Sequence, residues 1–191
     1  DLGALYFINN INEDDLVKRC RRALWGNTAL FLVFFLAFVI RTLLADGYAV
    51  RPETGEVFME PYKYLTNFLQ MPVVLLVFLV GVVAVLWGII RTLWKPAFDK
   101  GIWFAGAGTV LTVLALLLVA GYNNTAYYPS THDLQSSLTL ANSCSSQFTL
   151  KVMAYVSILV PFVLAYIFYA WRSIDNRKID AKEMEEGGHA Y

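Results

Sequence analysis

Few residues in this chain are equipped for chemistry. The stretch "NSCSSQFTLKVM", Asn142 to Met153, sets Cys144 and Lys151 close together behind a run of small polar residues. A thiol near an ammonium is the pairing that lowers a cysteine pKa and makes it nucleophilic. His132 stands beside Asp133, a base next to a carboxylate, and His189 and Cys20 complete the histidines and cysteines. Met153 carries a thioether, a known axial ligand for haem iron. Asn123-Asn124-Thr125 has the form of a glycosylation acceptor, which would mean nothing were the protein bacterial. None of these groups shows the spacing of a zinc ribbon, a C-x-x-C redox pair, or a nucleophile with its base.

The elements that must position them are membrane helices. Of 191 residues, 58% are hydrophobic and 16% charged, against roughly 45–50% apolar in soluble domains. Lys plus Arg equals Asp plus Glu, fifteen each, so no bulk positive charge draws the chain to nucleic acid. Four segments, 23–40, 71–90, 102–122 and 152–171, lack every ionisable side chain type of Asp, Glu, Lys, Arg and His. About 20 residues at 1.5 Å per residue cross the roughly 30 Å hydrocarbon core. Buried helices of soluble proteins keep a polar face, whereas the second segment has no Ser, Thr, Asn or Gln either. The sequence therefore predicts an all-α integral membrane protein, one membrane domain over 1–191, with four transmembrane helices packed as a bundle.

Eleven of the fifteen Lys and Arg fall on one side of these spans: Lys18, Arg19, Arg21 and Arg22, then Arg91, Lys95 and Lys100, then Arg172, Arg177, Lys178 and Lys182. Arg41, Arg51, Lys63 and Lys151 fall on the other. Cytoplasmic loops retain Lys and Arg, so both termini are predicted in the cytoplasm, with 173–191 as a cytoplasmic tail. This topology separates His132 from His189 and Cys144 from Cys20, which removes a shared metal and an internal disulfide. Residues 42–70, containing "RPETGE", read as a polar, turn-rich outer loop. Trp25, Trp87, Trp94, Trp103 and Trp171 lie near span ends, as interfacial aromatics do.

Helices in lipid approach through small residues. Gly81, Ala84 and Gly88 share a face of the second span, Gly101, Ala105, Gly108 and Thr112 a face of the third, and Ala154, Ser157, Pro161 and Ala165 a face of the fourth. The first span offers only Ala29 and Ala37, eight apart, and reads as peripheral or as facing a partner. Pro161 removes one backbone bond and predicts a kink. Residues 1–8, apolar and cut off by "NNINEDD", read as the end of a preceding span whose beginning is missing.

With no ionisable residue at depth, the spans have nothing with which to relay protons or ligate haem through histidine, so no catalytic, cofactor-binding or metal residue is assigned. Met153 reads as an adaptable apolar packer and His132-Asp133 as a solvated loop pair. The serines before Lys151 read as the start of the fourth helix, where side-chain oxygens meet free backbone N–H groups.

The order of those residues carries a resemblance. "SLTLANSCSSQFTLKVM", Ser137 to Met153, followed by "VPFVLAY", Val160 to Tyr166, resembles the last part of subunit II of cytochrome bd-type quinol oxidases, through Ser145, Ser146, Thr149, Leu150, Val152, Met153, Val160, Pro161, Val163, Leu164 and Tyr166. "GALYF" at Gly3 to Phe7 and "DGY" at Asp46 to Tyr48 extend it more weakly. Family members are roughly twice as long, and their N-terminal motif of Trp, Gly, Asn and Trp has no counterpart here, so the chain resembles the C-terminal half. The resemblance implies a multi-pass protein of the bacterial cytoplasmic (inner) membrane, part of a terminal oxidase that couples quinol oxidation to reduction of oxygen to water. It implies haem b and haem d in a partner, subunit I, and none bound by this chain. Its other implied partners are the missing N-terminal half of subunit II and membrane lipid. The competing reading is a small membrane anchor or transporter of an unrelated complex; a transporter calls for intramembrane charges, broken helices or an inverted repeat, none of which the sequence shows.

Overall fold

The computed structural model describes residues 1–174. Six α-helices follow in order: α1 (Leu2–Asn10), α2 (Asp14–Leu44), α3 (Lys63–Gln70), α4 (Pro72–Trp94), α5 (Gly101–Gly121) and α6 (Gln147–Ile174), with a two-stranded hairpin, β1 (Gly47–Val50) and β2 (Val57–Glu60), between α2 and α3. Helices α2, α4, α5 and α6 are long and apolar enough to cross a membrane. The predicted spans fall inside them except for Met71 and Tyr122, which cap α4 and α5. Most of the predicted tail, with His189, lies outside the described residues, and its first two residues continue α6.

The helices run beyond their apolar segments for identifiable reasons. Helix α2 opens on Asp14 and Asp15, whose charges suit the positive end of its dipole. Its 31 residues give about 46 Å at 1.5 Å per residue, more than the hydrocarbon core needs. Helix α4 begins with Pro72, whose missing N–H is no loss in a first turn. Helix α6 is continuous through Pro161.

Helices α4 and α5 form the tightest pair. The buried positions of α5, Gly101, Ala105, Gly108, Thr112, Ala115 and Val119, alternate four and three apart and draw one seam along the helix. They face Gly81, Gly88 and Thr92, buried on α4. Glycine is required here by proximity: a Cβ on Gly88 would stand 2.7 Å from the Gly101 carbonyl oxygen and 2.9 Å from the Ala105 nitrogen. At one end of the pair Leu5 and Ile8 of α1 join Leu24, Ile89 and Ala105 in an apolar cluster. At the other, Phe68 of α3 joins Phe78, Ala115 and Val119.

Helix α2 lies more loosely along this pair, as its lack of small residues predicts; Leu24 and Thr28 are its buried positions. An apolar cavity of about 240 Å³ separates it from α4 and α5 at mid-depth, lined by Phe31, Phe35 and Phe38 on one side and Val82, Leu86 and Val113 on the other.

The fourth span departs from the predicted bundle. None of its span is buried within the described chain, against 28% for α5, and Ala154, Ser157, Pro161 and Ala165 are all exposed. A small-residue stripe permits close approach without choosing the neighbour. Helices α4 and α5 already use their small faces on each other, so no matching groove is left for α6.

The segment 42–70 is also more structured than its polarity suggests. Strands β1 and β2 pair antiparallel, Gly47 with Glu60 through Val50 with Val57. "RPETGE" is the connecting loop, closed by Arg51 on Glu56 at 2.7 Å and by Gly55 at φ 72°. Residue 47 must be glycine, since a Cβ there would lie 2.5 Å from Cβ of Lys63.

Candidate functional site

Apart from Thr112 within the α4–α5 seam and Thr28 of α2, the polar side chains that the fold buries lie toward the two ends of the α4–α5 pair, most of them at the hairpin end. At the hairpin end Asn67 of α3 is completely buried. Its amide donates to the Val119 carbonyl and to the Thr125 hydroxyl, both at 2.9 Å. Its own oxygen accepts from Asn123 Nδ2 at 3.1 Å, and that amide also donates to Gln70 Oε1 at 2.6 Å. One side chain thus ties α3, the C-terminus of α5 and the following loop together, satisfying a C-terminal carbonyl that an α-helix leaves free. The loop reaches back to the hairpin: Val50 N donates to Asn124 O, Ala126 N to Tyr48 O, and Gln135 bridges Val57 through both its amide atoms. Lys63 is buried and held by Glu60 at 3.1 Å. Burial first, and the Tyr48 phenol second, hold the Tyr64 pKa above the usual tyrosine value.

At the opposite end Arg21 of α2 clasps the α4–α5 turn. Its guanidinium donates to the Thr92 carbonyl and, at 2.7 Å, to the Pro96 carbonyl. These are carbonyls left over where α4 stops, and a planar fork is suited to capture more than one. Arg91 lies between the rings of Trp87 and Phe98, about 5 Å from each centroid (5.2 Å and 5.3 Å).

Among the described residues no group of three or more His, Cys, Asp and Glu is gathered. Every buried side-chain nitrogen and oxygen among them has a partner.

The residues singled out from sequence are scattered. Cys144 is exposed and Cys20 half-buried, both free thiols. Lys151 and Met153 are exposed on α6. His132 is exposed in the loop after α5, while Asp133 caps a short 3-10 turn, Leu134–Ser136, by accepting from the Gln135 N–H. Ser146 takes the capping part foreseen for the serines, accepting from Thr149 N at 3.3 Å. In Asn123-Asn124-Thr125 the acceptor amide is engaged with Asn67 and Gln70, and Thr125 is buried. Arg21 and Asn67 carry structural weight that the sequence did not signal, since their partners lie 71 and 52 residues away.

Four helices long and apolar enough to cross a membrane, with the buried polar groups among the described residues satisfied internally, define a polytopic membrane protein. The family is then given by sequence. The family model for cytochrome bd terminal oxidase subunit II matches residues 2–174, and the chain belongs to that family. It is 30% identical over 155 residues to the cytochrome bd-I ubiquinol oxidase subunit 2 of Escherichia coli strain K12, covering 80% of this chain and 39% of that protein. The counterparts from strains O6:H1 and O157:H7 match to the same extent. The chain thus spans about two fifths of the length of these relatives, and is a multi-pass protein of the bacterial inner membrane.

Proposed function

We propose that this chain is a scaffold portion of subunit II. It braces the subunit that holds haem b and haem d while that partner oxidises quinol and reduces oxygen to water. The observation that carries this reading is the contrast between α4–α5, sealed against each other by glycine, and α6, none of whose apolar span is buried within its own described chain. Helix α6 supplies a surface for another membrane subunit.

The side chains available to a haem support the same division of labour. Met153 and His132 sit on separate elements, the first on exposed α6 and the second in the loop after α5, and no group of three or more His, Cys, Asp and Glu is gathered among the described residues. No step of the reaction is therefore assigned to a residue of this chain. The face bearing Arg21, Arg91, Lys100 and Arg172 is proposed to be cytoplasmic, because eleven of the fifteen basic residues lie on that side.

Purification through a tag on this chain from membranes in mild detergent tests the proposal. The chain is expected to co-migrate with a membrane subunit showing haem absorption, and leucine at both Ala154 and Ala165 is expected to weaken that association. A stable, haem-free homo-oligomer would overturn the reading.

A further inference from the structure

Beside the described packing lies a cleft of about 800 Å³ where the last turns of α6 come down next to the start of α5. It has three chemical levels. At its rim stand Lys100, the N-cap of α5, and Arg172, in the last turn of α6. Beside and just inward of them along the two helices are two indoles, Trp171 and Trp103, and further along α6 the wall is apolar, with Ile167 and Phe168. Both cations are exposed, and neither forms an ion pair among the described residues.

This vertical order is that of a bilayer leaflet: charged headgroup, aromatic interface, hydrocarbon. The cations stand at the ends of two spans, at phosphate level, and basic pockets between transmembrane helices are suited to anionic headgroups. The volume lies in the range of small-molecule pockets. We propose that the cleft binds one anionic glycerophospholipid from the surrounding bilayer, its phosphate on Lys100 and Arg172 and an acyl chain against Ile167 and Phe168. The lipid bridges α6 to the α5 end of the helix pair, a junction where protein contacts are otherwise sparse. This inference rests on membrane residence alone and not on the proposed scaffold function.

The test uses the protein purified with the subunits that accompany it. Native mass spectrometry follows binding of phosphatidylglycerol and of phosphatidylethanolamine added to the delipidated sample. The wild type is expected to retain one phosphatidylglycerol in preference to phosphatidylethanolamine, and Lys100→Gln with Arg172→Gln to lose it, by about fivefold for each cation removed. Equal retention of both lipids by the wild type, or undiminished phosphatidylglycerol on the double variant, would overturn the proposal. A photo-reactive benzoylphenylalanine at Ile167 gives a second readout. A phospholipid adduct supports the inference, whereas an adduct to a polypeptide shows that protein fills the cleft and overturns it.

Discussion

Gly81 and Gly108 meet backbone to backbone across the α4–α5 seam. A Cβ on Gly108 would stand 2.6 Å from the Gly81 carbonyl oxygen, and one on Gly81 would stand 2.9 Å from that of Gly108. Since backbone cannot swing away as a side chain does, alanine at either position has to part the helices.

Gly81→Ala and Gly108→Ala are each expected to destabilise by about 1–3 kcal/mol, the usual cost of overpacking. Gly106 supplies the control, because nothing lies within 4 Å of a Cβ there. Gly106→Ala gains helix propensity of up to about 1 kcal/mol without a clash. Thermal unfolding of the purified complex in detergent distinguishes the two outcomes; equal midpoints for all three variants would refute the close contact.

Asn67→Ala removes the one side chain shared by α3, the end of α5 and the loop beyond. The Val119 carbonyl and the Thr125 hydroxyl lose a donor, at a cost of about 1–3 kcal/mol for buried polar groups left short of partners. The damage should be local to residues 122–146, read as faster hydrogen exchange there, with the α4–α5 seam unchanged.

Arg21→Lys keeps the charge and loses the fork. A lysine holds at best one of the carbonyls that Arg21 spans, at Thr92 and Pro96. The turn from Lys95 to Lys100 should loosen, and limited trypsin digestion is expected to cut after Lys100 faster than in the wild type. No change in cleavage would mean that the clasp does not restrain the turn.

Orientation is open to direct measurement through the two free thiols. A membrane-impermeant maleimide applied to spheroplasts with sealed inner membranes should label exposed Cys144 and leave Cys20 unlabelled until the membrane is broken. The opposite pattern would invert the proposed topology.

The spans were legible because a run of such length, apolar all round, is at home only in lipid or in the core of a much larger protein. The seam was legible because Gly81, Gly88, Gly101, Ala105 and Gly108 recur at helical spacing. The same signal misled at Ala154, Ser157, Pro161 and Ala165: spacing reports that a face is smooth, not which helix will cover it. The hairpin and α3 were hidden by brevity. Alternation in "GYAV" and "VFME" around a Gly-containing loop was the available hint, but four residues are too few to separate a strand from a polar loop. Arg21 and Asn67 belong to no motif; each acts on backbone carbonyls that only folding brings near.

The short turn between α4 and α5 also sets an order of assembly. Six residues, Lys95 to Lys100, separate the two helices, so closing them into a hairpin costs little chain entropy and their contacts are local in sequence. The pair can form as soon as both helices have left the translocation machinery. Helix α6, the last of the four spans in sequence, has almost nothing of its own described chain to dock on, so its packing is expected to follow that of the pair.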